Sequence, residues 1–284
     1  FAGTDAPGGG YVSFPPIENG QLATDVQFTS IMDFTVTADD EVLILHRTSR
    51  RGTAFGEARV LRVDRDGRIS TYWNGGGTCP SGLTCNHQFV GFSGGIAQTP
   101  DGTVWVSPGY YGYWSDLLAM RPDGTISVQK HMSNSRPYRD NVPLEEFNAY
   151  VESLAVGHDG RLYMEVIRDT TGGVPWARLI VRLDPDGIVR RVVGGAEPCV
   201  GSIPWPTEAG ATGQRADLGE NVPPTRSCIN PNGFAFLPDN SLLFAEQAWG
   251  SIRRVGTSLS GFTNDNIAIP SEDGSEVYKF DKNG

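Results

Sequence analysis

The chain lacks several things that would have pointed to a function. No apolar run approaches the roughly 20 residues that a membrane-spanning helix needs, so a lipid-crossing helix is not expected. Histidine is scarce: His46, His87, His131 and His158 are scattered, and none falls in an H-x3-H or H-E-x-x-H spacing, which removes the common zinc-hydrolase signatures. There is no G-x-S-x-G elbow for a serine nucleophile and no Walker-type loop for a phosphate. Positive charge is in deficit, with 23 Lys and Arg against 33 Asp and Glu and a net charge of −10. A nucleic-acid backbone and an anionic membrane are therefore poor partners. Only four cysteines occur, none in C-x2-C spacing, which speaks against zinc. No leader is visible, and the chain opens at Phe1 without Met, so we expect a leader already removed.

What is present is turn-forming residues in excess. Gly (36) and Pro (19) make 55 of 284 residues, well above the roughly 12% of ordinary usage. Apolar β-formers lie between them, so the excess signals many turns rather than disorder. Cys79-Pro-Ser-Gly-Leu-Thr-Cys85 is a short loop that a disulfide would close. Cys199 and Cys228 flank a Gly/Pro-rich insertion, residues 196–230, with little regular patterning. Two local staples, Cys79–Cys85 and Cys199–Cys228, fit an oxidising, extracellular compartment. Reduced thiols are the alternative, since connectivity does not follow from sequence.

Self-similarity decides the fold class. Four segments read alike: Phe34-Thr-Val-Thr-Ala-Asp-Asp-Glu-Val-Leu-Ile-Leu, Gly95-Ile-Ala-Gln-Thr-Pro-Asp-Gly-Thr-Val-Trp-Val, Ser153-Leu-Ala-Val-Gly-His-Asp-Gly-Arg-Leu-Tyr-Met and Gly233-Phe-Ala-Phe-Leu-Pro-Asp-Asn-Ser-Leu-Leu-Phe. Each is an apolar strand, an Asp-Gly-like turn and a second apolar strand, the signature of a tight hairpin with a primed turn. A second Asp-Gly hairpin follows three of them, at Asp66-Gly67, Asp123-Gly124 and Asp186-Gly187. The two turns of a unit are 66−39 = 27, 123−101 = 22 and 186−159 = 27 residues apart. First turns of successive units are 62, 58 and 80 apart (101−39, 159−101, 239−159), the last interval holding the insertion. Units of two hairpins recurring in this way predict an all-β protein, a β-propeller of four-stranded antiparallel blades. Four blades are recognisable, with a partial one expected at each end and a ring of about six. All 284 residues form one domain on this reading, and open ends would leave apolar faces bare.

The repeat resembles that of the NHL-type propeller family: Pro, a small apolar pair, Pro-Asp-Gly, an apolar strand, an Arg-Ile-Arg-Arg-Val-like strand and a Gly-Gly turn. Asn230-Pro-Asn-Gly-Phe-Ala-Phe-Leu-Pro-Asp-Asn-Ser-Leu-Leu-Phe-Ala, followed by Ser251-Ile-Arg-Arg-Val, carries it best. Phe1-Ala-Gly-Thr-Asp resembles the close of a preceding repeat, and Glu18-Asn-Gly-Gln-Leu-Ala-Thr-Asp-Val-Gln-Phe resembles the linker between blades. Residues 269–284, Ile269-Pro-Ser-Glu-Asp-Gly-Ser-Glu-Val-Tyr-Lys-Phe-Asp-Lys-Asn-Gly, are similar to the segment that leads from such a propeller into the YD-repeat shell of Rhs and teneurin-like proteins. In that family the propeller is a non-catalytic appendage of a very large extracellular or toxin-delivering chain. Val277 to Gly284 reads as one strand with no following strand to complete a hairpin, and the chain is expected to continue into YD repeats. The second strand of an NHL unit commonly ends in Asp. Here the matching places are His46, Pro108, Val166 and Glu246, so no ligand role is carried over.

Chemistry-bearing residues are few. His158 lies in a hairpin turn, where a solvated polar residue is ordinary, and His46 ends a strand near the expected axis. Gluconolactonase-like propeller enzymes hold a divalent cation in their channel through Glu, Asn and Asp. The nearest equivalents, Glu165 and Glu246, are too few for a hard cation, and solvated strand ends are the preferred reading. Asp64-Arg-Asp66 and Asp184-Pro-Asp186 look metal-like but sit where hairpins want Asx turns. Gly8-Gly-Gly and Gly75-Gly-Gly lack the following helix of an anion site. Tyr110, Tyr111, Tyr113 and Trp114 form the best binding candidate, an aromatic loop able to contact protein or stack on sugars. Trp73, Trp176, Trp205 and Trp249 are expected to be packing residues.

The expected function is thus a non-enzymatic propeller module, without cofactor or catalytic metal, of a large secreted or surface Rhs/teneurin-like protein. Its partners would be other domains of the same chain, other proteins or glycans. The alternatives are a lactonase- or lyase-like propeller enzyme with a channel metal, and a carbohydrate-binding propeller. Non-reducing peptide mapping is expected to recover Cys79 with Cys85 and Cys199 with Cys228. In the loop-entropy account the longer bridge adds about 3–4 kcal/mol; cross-paired or free thiols in protein from its native compartment would count against both bridges.

Overall fold

Apolar residues alternating between turn signals build strands, and the computed structural model bears this out. It describes residues 17–28, 30–49, 56–74, 88–89, 94–108, 114–133, 139–170, 174–194, 224–227, 229, 231–246, 251–255, 266–270 and 277–281. Among these are 19 strands and, beside them, only short 3-10 turns. The first blade is β1 (Ile31–Val36), β2 (Val42–Ser49), β3 (Gly56–Val63) and β4 (Ile69–Trp73) in sequence order, with β5 (Gln88–Phe89) paired to β3. The second is β6 (Gly95–Gln98), β7 (Val104–Ser107), β8 (Trp114–Met120) and β9 (Ile126–Ser133). Then β10 (Val142–Pro143) precedes the third blade, β11 (Tyr150–Val156), β12 (Leu162–Thr170), β13 (Val174–Leu183) and β14 (Ile188–Val193), and pairs with its outer strand. The fourth contains β15 (Pro231–Phe236), β16 (Leu242–Glu246) and β17 (Ser251–Val255), and β18 (Asn266–Pro270) pairs with β19 (Val277–Asp281) as a separate sheet. The first strands β1, β6, β11 and β15 neighbour one another in that order. The four sheets therefore stand around an axis as propeller blades, each with its first strand innermost. The expected count of about six blades goes beyond the described residues.

The inner hairpins differ in one detail from expectation. Thr37 donates its N–H to the Glu41 carbonyl at 2.8 Å while Asp40 donates to the Thr37 carbonyl at 3.1 Å. The same two bonds recur around Gly102, Gly160 and Asn240. The residue after the turn Asp has a left-handed backbone, with φ of 55° at Asp40, 81° at Gly102, 73° at Gly160 and 65° at Asn240. This is the three-residue loop, a type I turn followed by a left-handed residue, rather than the two-residue primed turn. At Asp101, Asp159 and Asp239 the side chain accepts the N–H two residues on, at 3.1, 3.1 and 2.9 Å.

Period-2 alternation then sorts side chains between neighbouring blades. In β2, Leu43 and Leu45 face the second blade, where Ile96, Val104, Val106, Leu118 and Met120 meet them. Trp105 and Leu117 turn the other way, towards Leu154, Leu162, Met164 and Val181 of the third blade. Tyr163 and Ile180 of the third blade pack on Leu242 and Phe244 of the fourth. The contact is closest at Gly95, where a Cβ would lie 2.5 Å from the Leu154 nitrogen and 2.9 Å from the Ser153 Cα. The first blade's far face is covered in part by residues 17–28, which place Ala23 and Val26 on Ile44, Leu61 and Ile69. Its inner strand leaves Phe34 62% and Val36 59% exposed.

The linker reading of residues 18–28 gains a structural detail. Ala23 donates to the Gly67 carbonyl at 2.8 Å, and Leu144 donates to the Gly187 carbonyl at 2.9 Å. Each linker thus lies along the outer strand of the blade that it leads into. One expectation is corrected: β19 has its partner upstream, with Ile267 opposite Phe280 and Ile269 opposite Tyr278. Nothing among the described residues bears on whether YD repeats follow. Cys79, Cys85, Cys199 and Cys228, and with them both expected bridges, lie outside the described residues, as do most of residues 196–230. No helix among the described residues is long and apolar enough to cross a membrane, which says nothing of a β-barrel.

Gly95→Ala tests the blade contact. The obstacle is backbone of the next blade, which no side-chain rotation can clear, so a loss of about 2–3 kcal/mol is expected by denaturant titration; a variant as stable as the parent would contradict the close approach.

Candidate functional site

Both kinds of hairpin turn lie at one end of each blade, so the opposite end, here termed the head, is where inner strands begin and second strands finish. Second strands end and third strands begin there. Buried polar residues of the first and second strands stand away from the turns, towards the head. Glu165 and Glu246 are each 1% exposed and His46 3%, with Ser107 also buried and Asp33 partly so. This corrects the expectation of solvated strand ends for Glu165 and Glu246: both point into the space between blades, not out of it.

Register explains which way each one points. Leu45, Ser107, Glu165 and Ala245 are equivalent, three residues after Val42, Val104, Leu162 and Leu242, and alternation turns this position towards the following blade. In the first blade it holds a core leucine. In the second, the Ser107 hydroxyl donates to the Val151 carbonyl of the third blade at 2.9 Å. In the third, Glu165 Oε2 accepts the Gly233 N–H of the fourth blade at 2.9 Å. Its Oε1 accepts from Arg178 Nη1 at 2.7 Å, and Arg178 also pairs with Glu152 and donates to the Pro231 carbonyl at 3.2 Å. Burial pushes the Glu165 carboxyl up to about 7, although Arg178 pulls the other way. Where the first blade has leucine, Asp33 supplies the bond instead. Its Oδ2 accepts the Ile96 N–H of the second blade at 2.9 Å, its Oδ1 the Phe34 N–H at 2.8 Å, and burial raises it to about 6.

The next position along holds His46 and Glu246, facing the preceding side. Glu246 shares the face of Leu242 and Phe244, and Arg253 approaches it at 3.7 Å. His46 lies edge-on to Phe28 at 5.7 Å between ring centroids. Burial, with the Arg59 charge, lowers His46 to about 4, so the imidazole is neutral. Among the described residues no three His, Cys, Asp or Glu side chains stand close enough to hold a metal ion.

The turn end is different in kind. Asp64 Oδ1 accepts the N–H groups of Asp66 and Arg68 at 3.0 and 2.8 Å, and Asp186 Oδ1 that of Ile188 at 3.1 Å, which are Asx turns. Asp184 takes Arg161, Arg182 and Arg190 at 2.9, 2.6 and 2.5 Å. Burial works against its charge, but Arg182 and Arg190 hold the carboxyl below its ordinary range. His158 is exposed in its turn, as expected, and Trp73 packs in the seam between the first two blades. Tyr110, Tyr111, Tyr113, His87, Trp205 and Trp249 lie outside the described residues; Trp114 opens β8 and Trp176 lies in β13, their side chains likewise outside. Asp33, Ser107, Glu152 and Arg178 were not singled out from sequence. Ser107 was legible, as a polar residue where the aligned repeat has Leu45.

No protein-family model matches the chain, and no curated protein does. Solved structures resemble it at low similarity. The periplasmic gluconolactonase of Pseudomonas aeruginosa is 15% identical, with 90% of this chain and 67% of that one covered and a TM-score of 0.39. A gluconolactonase of Xanthomonas campestris is 14% identical over 86% and 72%, with a TM-score of 0.40. An endo-arabinase of Bacteroides thetaiotaomicron is 10% identical over 92% and 91%, with a TM-score of 0.43. All three are described as enzymes, which runs against the expectation of a non-enzymatic module. That expectation rested on missing contiguous motifs. A propeller gathers polar groups from strand ends 58–80 residues apart, where no short motif can report them. None of these three points to an Rhs, YD-repeat or teneurin relation.

The buried neutral His46 has a pH signature. Its stabilising effect is fully present above pH 6.5 and lost as pH falls through about 4. The stability difference between the parent and His46→Gln should therefore shrink on acidification in urea titrations from pH 7.5 to 4; a constant or growing difference would contradict it.

Proposed function

We propose that this chain is a propeller enzyme that hydrolyses a sugar or sugar-lactone linkage at its head. One observation carries this reading: buried or half-buried carboxyl groups from separate blades, Asp33 and Glu246, collect at that end, while the turn-end carboxylates are taken up by turn N–H groups and arginines. Carboxyl pairs are the usual acid–base equipment of glycoside hydrolysis. Asp33, held near 6, has a proton to give or take close to neutral pH. One carboxyl would protonate the leaving oxygen while the other takes a proton from the attacking water. Glu165 is ion-paired with Arg178 at 2.7 Å, as Asp33 is not, so it is assigned no part in the reaction. Tyr110, Tyr111, Tyr113 and Trp114 would give a sugar ring a stacking surface. A substrate without strong negative charge suits the net charge of −10. A channel cation, the other route for such an enzyme, needs several converging oxygen ligands, and no three His, Cys, Asp or Glu side chains stand together for one among the described residues.

The test is turnover by the intact chain on aldonolactones, followed by pH-stat, and on chromogenic arabinosides and glycosides. Asp33→Asn and Glu246→Gln should each reduce turnover by about 100-fold or more with an unchanged far-UV spectrum. Absence of turnover on the whole set, sugar binding without turnover, or undiminished activity in both variants would overturn the reading.

A further inference from the structure

The seam between the third and fourth blades brings an arginine to the head. Ile180 faces the fourth blade, where it meets Leu242 and Phe244. Alternation puts Arg178, two residues nearer the head on the same strand, on that same face. Glu246, two residues beyond Phe244, faces back from the fourth blade. The two therefore stand on opposing sides of one seam, and Pro231 links them: it pairs with Glu246 in the sheet, and its carbonyl accepts Arg178 Nη1 at 3.2 Å. The inner strands on both sides are irregular here, with register shifts between Val151 and Ser153 and between Pro231 and Phe234. A bulge turns a side chain out of the regular pattern, and the first of these brings Glu152 to Arg178. The three acceptors of Arg178, namely Glu152, Glu165 and the Pro231 carbonyl, are all reached by one nitrogen, Nη1. Nε and Nη2 donate no hydrogen bond among the described residues, yet neither is shut away from solvent, and the side chain is 20% exposed.

We propose that Arg178 is a substrate-binding residue of this seam, whose Nε and Nη2 hold two neighbouring hydroxyl oxygens of an uncharged sugar with its scissile bond against Glu246. The inference rests on the function proposed above and adds to it the part of the substrate that is recognised. Nε–H and Nη2–H project in parallel from one edge of the planar guanidinium, a fork that takes two adjacent oxygens at once. Hydroxyls suit that fork here better than a carboxylate, because two glutamates already flank the cation and the chain carries a net charge of −10. The bonds to Nη1 hold the plane of the group in place, so little side-chain freedom remains to be lost on binding.

Calorimetry on the intact chain with methyl arabinofuranoside and methyl glucopyranoside, each beside its single-deoxy derivatives, reads binding without turnover. Loss of a hydroxyl held by the fork should weaken binding about ten-fold or more in the parent. Arg178→Lys keeps a cation for the two glutamates but has no parallel pair of donors. It should weaken the complete sugar by a similar factor and no longer distinguish it from that deoxy derivative. In turnover the change should fall on KM, with kcat kept within about three-fold. The Arg178 Nε–H resonance of the parent chain should move on adding sugar, a reading that does not depend on how well the variant folds. Binding that Arg178→Lys leaves unaltered, an unmoved Nε–H resonance, or tighter binding of methyl glucuronide than of methyl glucopyranoside would overturn the assignment, and turnover by the parent chain would still uphold the proposed reaction. Arg178-dependent binding without turnover would do the reverse, removing the reaction and keeping the site. Absence of both binding and turnover would overturn both.

Discussion

The fold depends on the face-to-face contact of successive blades at their inner strands. Gly95 sets its closeness, since a single methyl group there would meet the backbone of Ser153 and Leu154. From that contact the other features follow. Alternation sends Leu43 and Leu45 to one neighbour and Ile44 to the other side. It also makes the third residue after the start of each second strand a cross-blade position, whatever occupies it. Leucine there contributes apolar area, serine a hydrogen bond, and glutamate a charged bridge. One site in the repeat thus offers three solutions, which differ in their response to pH.

The two ends of the blades divide the work. At the turn end the described chain reversals need a left-handed residue and an acceptor for loose N–H groups; Asp-Gly pairs supply both in most, with Asp40 and Asn240 as the left-handed residue in two and the Thr37 hydroxyl as acceptor in one. Their carboxylates are exposed or matched by arginine, as at Asp184. At the head, strands begin without such caps, and neighbouring blades bond to each other instead, through Asp33 to Ile96, Ser107 to Val151 and Glu165 to Gly233. Carboxyl groups are buried there, and burial moves them towards neutrality. An acidic protein of this design holds its chemically adjustable protons at one end of the axis.

The blade architecture was legible because it repeats: four copies of one hairpin pattern, with the Asp-Gly turns at nearly the registers observed. The turn geometry was not, because Asp-Gly suits both the two-residue and the three-residue loop, and the closing bond from Thr37 to Glu41 decides between them. The partner of β19 was missed because Asn266–Pro270 is short and ends in proline, a poor strand signal. Glu165 and Glu246 were found but placed in solvent, since a glutamate at a strand end is ordinarily exposed. Only the phase of alternation relative to the next blade shows that they face inward. Arg178 lies on a different strand from either glutamate, so no local pattern announces it.

The central claim is that the head of the propeller is its working end. The most direct measurement is backbone amide NMR during titration with a saturating aldonolactone or arabinoside. Shifts are predicted at the strand starts and ends of the head, around Asp33, Ser107, Ser153 and Gly233, with the turn amides of Gly102, Gly124, Gly160 and Gly187 unmoved. Shifts centred on those turns, or confined to the outer strands β4, β9 and β14, would contradict it.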